Sequence, residues 1–172
     1  MNDKHPDEPR LYARLDELGI PYHTEEHEAV FTVEEGLDIK ARLPGGHSKN
    51  LFLKDKAGQF VLISALGSTP IKLNRLHAHI GTKRLSFGKE DALFTHLGVR
   101  PGSVTVFSIL NDTDATVRLV LDAALFLQDV IWFHPMRNTA STRIKPDDLL
   151  VFARALGHDP LILDLAELTA GD

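Results

Sequence analysis

The sequence predicts an α+β domain whose sheet is mixed or antiparallel and is flanked by helices. Three observations predict it. Apolar residues recur at helical spacing in several short segments bounded by start and stop residues. Between them lie short β-branched and leucine-rich runs, two of which bracket a hairpin-length glycine loop. Helices and strands are mixed without the strict alternation of a doubly wound parallel sheet. At 172 residues the chain fits one domain, residues 1–172, with polar tails at about 1–8 and 167–172.

The elements follow in order. Pro9 to Leu18 reads as a helix, with Asp7 as cap, an apolar stripe of Leu11, Leu15 and Leu18, and Gly19 as its stop. Residues 20–27 read as a short exposed strand. His23 and His27 lie four apart there, and an extended backbone does not bring such a pair onto one metal ion. Thr32-Val33-Glu34-Glu35 is a capping box, with Val30 or Phe31 as a staple, and opens a helix that runs to about Arg42. After Pro44-Gly45-Gly46, strands at Leu51–Leu53 and Phe60–Ala65 bracket a loop containing Gly58. A helix with Leu73, Leu76 and Ile80 on one face comes next, then a strand at Arg84–Phe87 and a helix from Lys89 to Leu97 stopped by Gly98. Val106–Leu110 is an apolar segment, Val117–Leu121 a strand, and Ala123–Leu127 a helical turn. Val130–Pro135 is apolar and buried, ending at His134, whereas 138–142 is small and polar. Pro146–Leu156 reads as the last amphipathic helix and Leu161–Leu165 as a final strand.

Composition removes several chemistries. No cysteine is present, so disulfides, thiolate zinc sites and cysteine nucleophiles are excluded. No apolar run approaches the ~18 residues of a membrane span, and the polar first residues lack a signal peptide's apolar stretch. A cytoplasmic protein without membrane partners is expected. The net charge of −5 hides an asymmetry: Lys40 to Arg84 holds nine basic residues and one acid, Asp55, for a formal +8 against −13 elsewhere. Such a segment suits a polyanion.

The Gly45-Gly46-His47-Ser48-Lys49-Asn50 stretch delivers a cation from a glycine turn onto a strand, which is one way to fix charge against an anion or a carbonyl. It lacks the spacing of a phosphate-binding P-loop. Lys49, if partly desolvated, is a base or a short-range electrophile; if exposed, a phosphate contact. His134 is either a core histidine bonded to a carbonyl or a strand-end donor to a ligand. No serine elbow and no metal spacing is found, so no cofactor is implied.

Taken together, Val30-Phe31-Thr32-Val33-Glu34-Glu35, the Gly45–Asp55 stretch, Arg84-Leu85-Ser86-Phe87, Leu97–Thr105, Ile109-Leu110-Asn111-Asp112 and Phe133–Ala140 resemble one family in the same order. It is the YbaK/prolyl-tRNA synthetase-associated editing domain family, in its free-standing PrdX or ProX form, and the resemblance covers roughly residues 9–165. It implies a single domain with a mostly antiparallel, barrel-like sheet. It also implies trans-acting hydrolysis of mischarged Ala-tRNA(Pro), with the tRNA acceptor end as partner and prolyl-tRNA synthetase as a further one. A non-catalytic nucleic-acid-binding module, or a deacylase for another small amino acid, is the alternative. The family's lysine corresponds to Lys49 and its late histidine to His134, which the resemblance makes the catalytic pair. Phe31, Thr32, Asn50, Gly102, Ser103, Asn111 and Asn138 fall at its substrate-binding positions. One departure stands out: the family loop Gly-Ser-Val-Thr-Pro ends here in Val106 instead of proline.

Overall fold

A ten-residue strand, Gly46–Asp55, belongs to both halves of the sheet in the computed structural model, which describes residues 4–29 and 33–168. The helices are α1 (Glu8–Glu17), α2 (Val33–Arg42), α3 (Leu73–Ile80), α4 (Glu90–Leu97), α5 (Pro146–Ala155) and α6 (Leu165–Leu168). The strands are β1 (His23–Glu26), β2 (Gly46–Asp55), β3 (Phe60–Leu66), β4 (Leu85–Phe87), β5 (Val117–Asp122), β6 (Ile131–Phe133), β7 (Ala140–Ile144) and β8 (Leu161–Leu163). Short 3₁₀ helices cover Val106–Asn111 and Ala123–Leu127.

The strand order is β1-β7-β6-β2-β3-β5-β8, with β4 added to β2. β2 pairs antiparallel with β3 and β4, and β7 pairs antiparallel with β1 and β6. The pairs β2–β6, β3–β5 and β5–β8 are parallel, so the sheet is mixed with antiparallel pairs in the majority, the α+β class read from the sequence. β6 meets β2 only at Gly46 and His47, and β4 meets it only from Leu53 to Asp55. The two ends of one strand therefore serve two sheets.

Side-chain alternation explains the two cores. Phe52 and Leu62 point into the larger core, where Phe107 packs edge-to-face on Phe133 and Phe152 at centroid distances of 5.4 and 5.6 Å. Leu53, Val61 and Ile63 point the other way, onto Leu76 and Ile80 of α3 and onto Leu165. Because both faces of β3 are covered, it reads as a continuous apolar run.

Some local expectations need correcting. The polar stretch 138–142 enters β7 at Ala140, because a strand of small residues carries little apolar signal of its own. The last strand stops at Leu163, and Leu165 instead opens α6 and is fully buried. β2 begins at Gly46, earlier than its apolar part suggests. Asp7 precedes α1 without capping it; its carboxylate accepts from Arg10 and Asn111, each at 3.0 Å. The capping box and staple at 30–32 lie outside the described residues.

Candidate active site

The outer face of the β1-β7-β6-β2 half is built by register. His23 on β1 faces Arg143 on β7, Arg143 faces Trp132 on β6, and Trp132 faces His47 on β2. Strand alternation adds Lys49 to the His47 side and turns Asn50 to the other. A cavity of about 130 Å³ opens here, lined by His27, Lys40, His47, Ser48, Trp132, Phe133, His134 and Ser141, together with Gly36 and Ile39 of α2. The close approach of the β2 entrance to β6 requires glycine at position 45: φ is +119°, and a Cβ would come within 2.7 Å of Val130 Cγ2.

The imidazoles here are held in defined states. His134 Nδ1 lies 3.1 Å from the Ala140 carbonyl, so it donates, and Nε2 keeps its lone pair. Burial lowers its pKa, with nearby His27 acting in the same sense and the Ala140 bond opposing. His134 is therefore neutral at pH 7. His27 Nδ1 donates to the Glu28 carbonyl at 2.8 Å, and its Nε2 accepts from the Ser141 hydroxyl at 2.9 Å. His47 donates from Nε2 to the Leu43 carbonyl and stacks on Trp132, whose indole N–H donates to the Pro44 carbonyl at 2.8 Å. Burial lowers the His47 pKa as well.

Lys49 is half-buried, and its ammonium donates to the Thr69 carbonyl. Burial lowers its pKa; Asp122 opposes this and Lys40 adds to it. Lys40 Nζ lies beside Gly67, so two ammonium groups flank the 67–69 turn, and one of them lines the cavity. An imidazole with a lone pair, a hydroxyl and the Lys40 ammonium around one small cavity, with the Lys49 ammonium on the same face of β2, can hold a water against a carbonyl and balance the charge that develops.

Of the residues singled out from the sequence, His134 lines the cavity and Lys49 shares its strand face. Asn50 faces inward: its Oδ1 accepts from the Val106 N–H at 3.1 Å, and its Nδ2 donates to Ser48 Oγ at 3.2 Å. The turn at Gly102, where φ is +88°, sits against Asn138, 3.7 Å from where a Cβ would lie, and the Ser103 N–H closes that turn on the Arg100 carbonyl. Asn111 is away from the cavity. Its amide donates to the Leu97 carbonyl and to Asp7, and accepts from Arg10, joining α1 to the end of α4. Phe31 and Thr32 lie outside the described residues. Sequence reading missed Lys40, His47, Trp132 and Ser141 and set His27 aside. The available signal was the period of two linking 47 to 49 and 132 to 134. The basic segment is divided along β2: Lys54, Lys56, Lys83 and Arg84 cluster at the hairpin end, roughly 20–25 Å from His47 at ~3.3 Å per residue. Among the described residues no three His, Asp or Glu side chains group to hold a metal, and no helix is long and apolar enough to cross a membrane.

The cavity brings imidazole, hydroxyl and ammonium groups together on one face of a mixed sheet. Residues 27–152 match the aminoacyl-tRNA editing domain family, and this chain belongs to that family. It is 41% identical over 160 residues to a mouse prolyl-tRNA synthetase associated domain-containing protein, covering 90% of this chain and 94% of that one. It is 37% identical over 149 residues to the prolyl-tRNA editing protein ProX of Acetoanaerobium sticklandii, covering 86% and 91%. A solved structure described as a candidate trans-editing enzyme for prolyl-tRNA synthetase shares the fold, with a TM-score of 0.71 and 20% identity over 94% of this chain and 98% of that one.

Proposed function

We propose that the chain is a trans-acting deacylase that hydrolyses mischarged Ala-tRNA(Pro). The observation that carries the reading is the neutral His134, whose Nε2 carries the lone pair, on a cavity of about 130 Å³ in a chain of the editing family. An aminoacyl ester is already activated, so its hydrolysis needs a positioned water and a stabilised oxyanion. His134 Nε2 takes the proton as the water oxygen attacks the ester carbonyl. The carbon–oxygen bond to the ribose then breaks, and the proton passes to the ribose oxygen. Lys49 and Lys40 supply positive potential while the tetrahedral charge lasts. Ile39, Trp132 and Phe133 supply apolar walls; under this proposal they admit a methyl side chain and reject a pyrrolidine ring, a second, finer sieve behind a synthetase pocket.

The test is a panel of tRNA(Pro) charged with alanine, serine or proline. Wild type is expected to clear the alanyl ester and spare the prolyl one. Lys49→Ala is expected to lose at least about 100-fold in rate while its circular dichroism is unchanged. Full activity in Lys49→Ala removes the lysine from the mechanism. A gel shift without ester loss makes the chain a binding module, and a preference for serine changes the substrate.

A further inference from the structure

We infer that a second groove on the same face, beside Trp132, receives the single-stranded 3′ end of tRNA and holds its phosphodiester between Arg143 and Lys145. The inference rests on the deacylase reading for the cavity. The groove, about 380 Å³, is lined by Pro21, Tyr22, His23, Val130, Arg143, Ile144 and Lys145. Two cations line it and no carboxylate does. Among the described residues no acid pairs with either cation; the nearby Glu25 is tied to His23 at 2.5 Å. Arg143 is laid over the indole of Trp132, with its guanidinium carbon 5.6 Å from the ring centroid. That contact fixes the guanidinium plane and leaves its fork exposed, the state in which arginine binds phosphate best. Tyr22, itself stacked on Tyr12 at 5.0 Å, and the exposed His23 ring give planar faces for an unpaired base.

Continuity with the cavity gives the groove its direction. Trp132 walls the cavity and backs Arg143, so a chain whose terminal ester lies in the cavity has its preceding phosphate one strand spacing away, over β7. A neighbouring cleft of about 400 Å³ sets Glu8 and Glu26 against Arg137 and Lys4, so its charges compensate and it offers no excess of cations to a phosphodiester. The hairpin-end lysines are too far along β2 to reach the terminal nucleotides.

Binding separates this inference from the chemistry. An uncharged acceptor-stem hairpin ending in a single-stranded 3′ tail is compared with the same hairpin made blunt. Wild type is expected to favour the tailed form about tenfold, and the Arg143→Glu/Lys145→Glu variant to lose that preference while still binding the blunt stem. Lys145→Ala, which leaves the Trp132 stack intact, is expected to lose part of it and to lower the salt slope of binding by about one. In kinetics, Lys145→Ala is expected to raise KM for alanyl-tRNA several-fold and to leave hydrolysis of alanyl-adenosine unchanged. Equal binding of both hairpins by wild type, an undiminished preference in the charge-reversed variant, or equal kinetic losses on both substrates overturns the inference. Tail-dependent binding that needs these two cations, in a protein that cleaves no ester, keeps the groove and discards the deacylase.

Discussion

At the scale of single residues, the proposed hydrolysis turns on which nitrogen of His134 holds a proton. The Ala140 carbonyl assigns it to Nδ1, and burial holds the ring's pKa below the ordinary 6.5. Because the working form is the neutral ring, activity is retained below pH 6.5 and falls only as the pH passes down through the lowered value. The same sign applies to stability: the unfolded imidazole binds a proton more readily, so this residue's contribution is present above about 6.5 and is lost as the pH drops through the folded pKa. A kcat/KM profile for alanyl-tRNA is expected to show an acidic limb centred below pH 6.5, and that limb is absent from the residual activity of His134→Asn. A limb centred above 6.5 would assign the base to another group.

At the scale of elements, Asn50 is a tie between β2 and the loop that leads into the 3₁₀ helix at Val106. Val106 is the first residue of that helix and follows an extended Thr105 (φ −152°, ψ 150°), a backbone that proline accepts at the cost of the N–H. In this chain a hydrogen bond to Asn50 therefore holds the loop that a ring would stiffen in the family pattern. Asn50→Ala is expected to loosen discrimination between alanyl and prolyl esters several-fold in the wild-type background and to have much less effect in Val106→Pro. Equal effects in both backgrounds would detach Asn50 from the loop. The sequence made helices and the central hairpin legible, because caps, glycine stops and apolar runs are local signals. Lys49 was legible as a cation on a strand and His134 as an imidazole just past the end of one. The partners of Asn50 and Asn111 were not, since an amide's choice between ligand and backbone depends on groups 56 and 104 residues away. Nor was the row His23–Arg143–Trp132–His47, which exists only once four strands are in register.

At the scale of the whole molecule, Arg137 ties the first helix and first strand to the connection between β6 and β7. Its guanidinium donates to buried Glu8 at 2.5 Å and to Glu26 at 2.6 Å, which keeps it charged at any accessible pH. α1 is thereby fixed to the turn that carries His134 and Asn138. Removing one partner of a buried pair strands the other, so Arg137→Ala is expected to cost about 3–5 kcal/mol, and the added Glu8→Gln change to recover part of it. Urea denaturation of the three proteins measures both values. A loss below about 1 kcal/mol would mean that Glu8 finds water or another donor.

The reversal between β2 and β3 has a consequence far from itself. Asp55 accepts from the N–H groups of Ala57, Gln59 and Lys83, and so fixes the length of the bend. A bend one residue longer would offset the whole strand by one, carrying an ammonium into the apolar interior and an amide out to the catalytic side. A carboxylate that never meets the substrate thus acts as the gauge deciding which side chains the substrate meets.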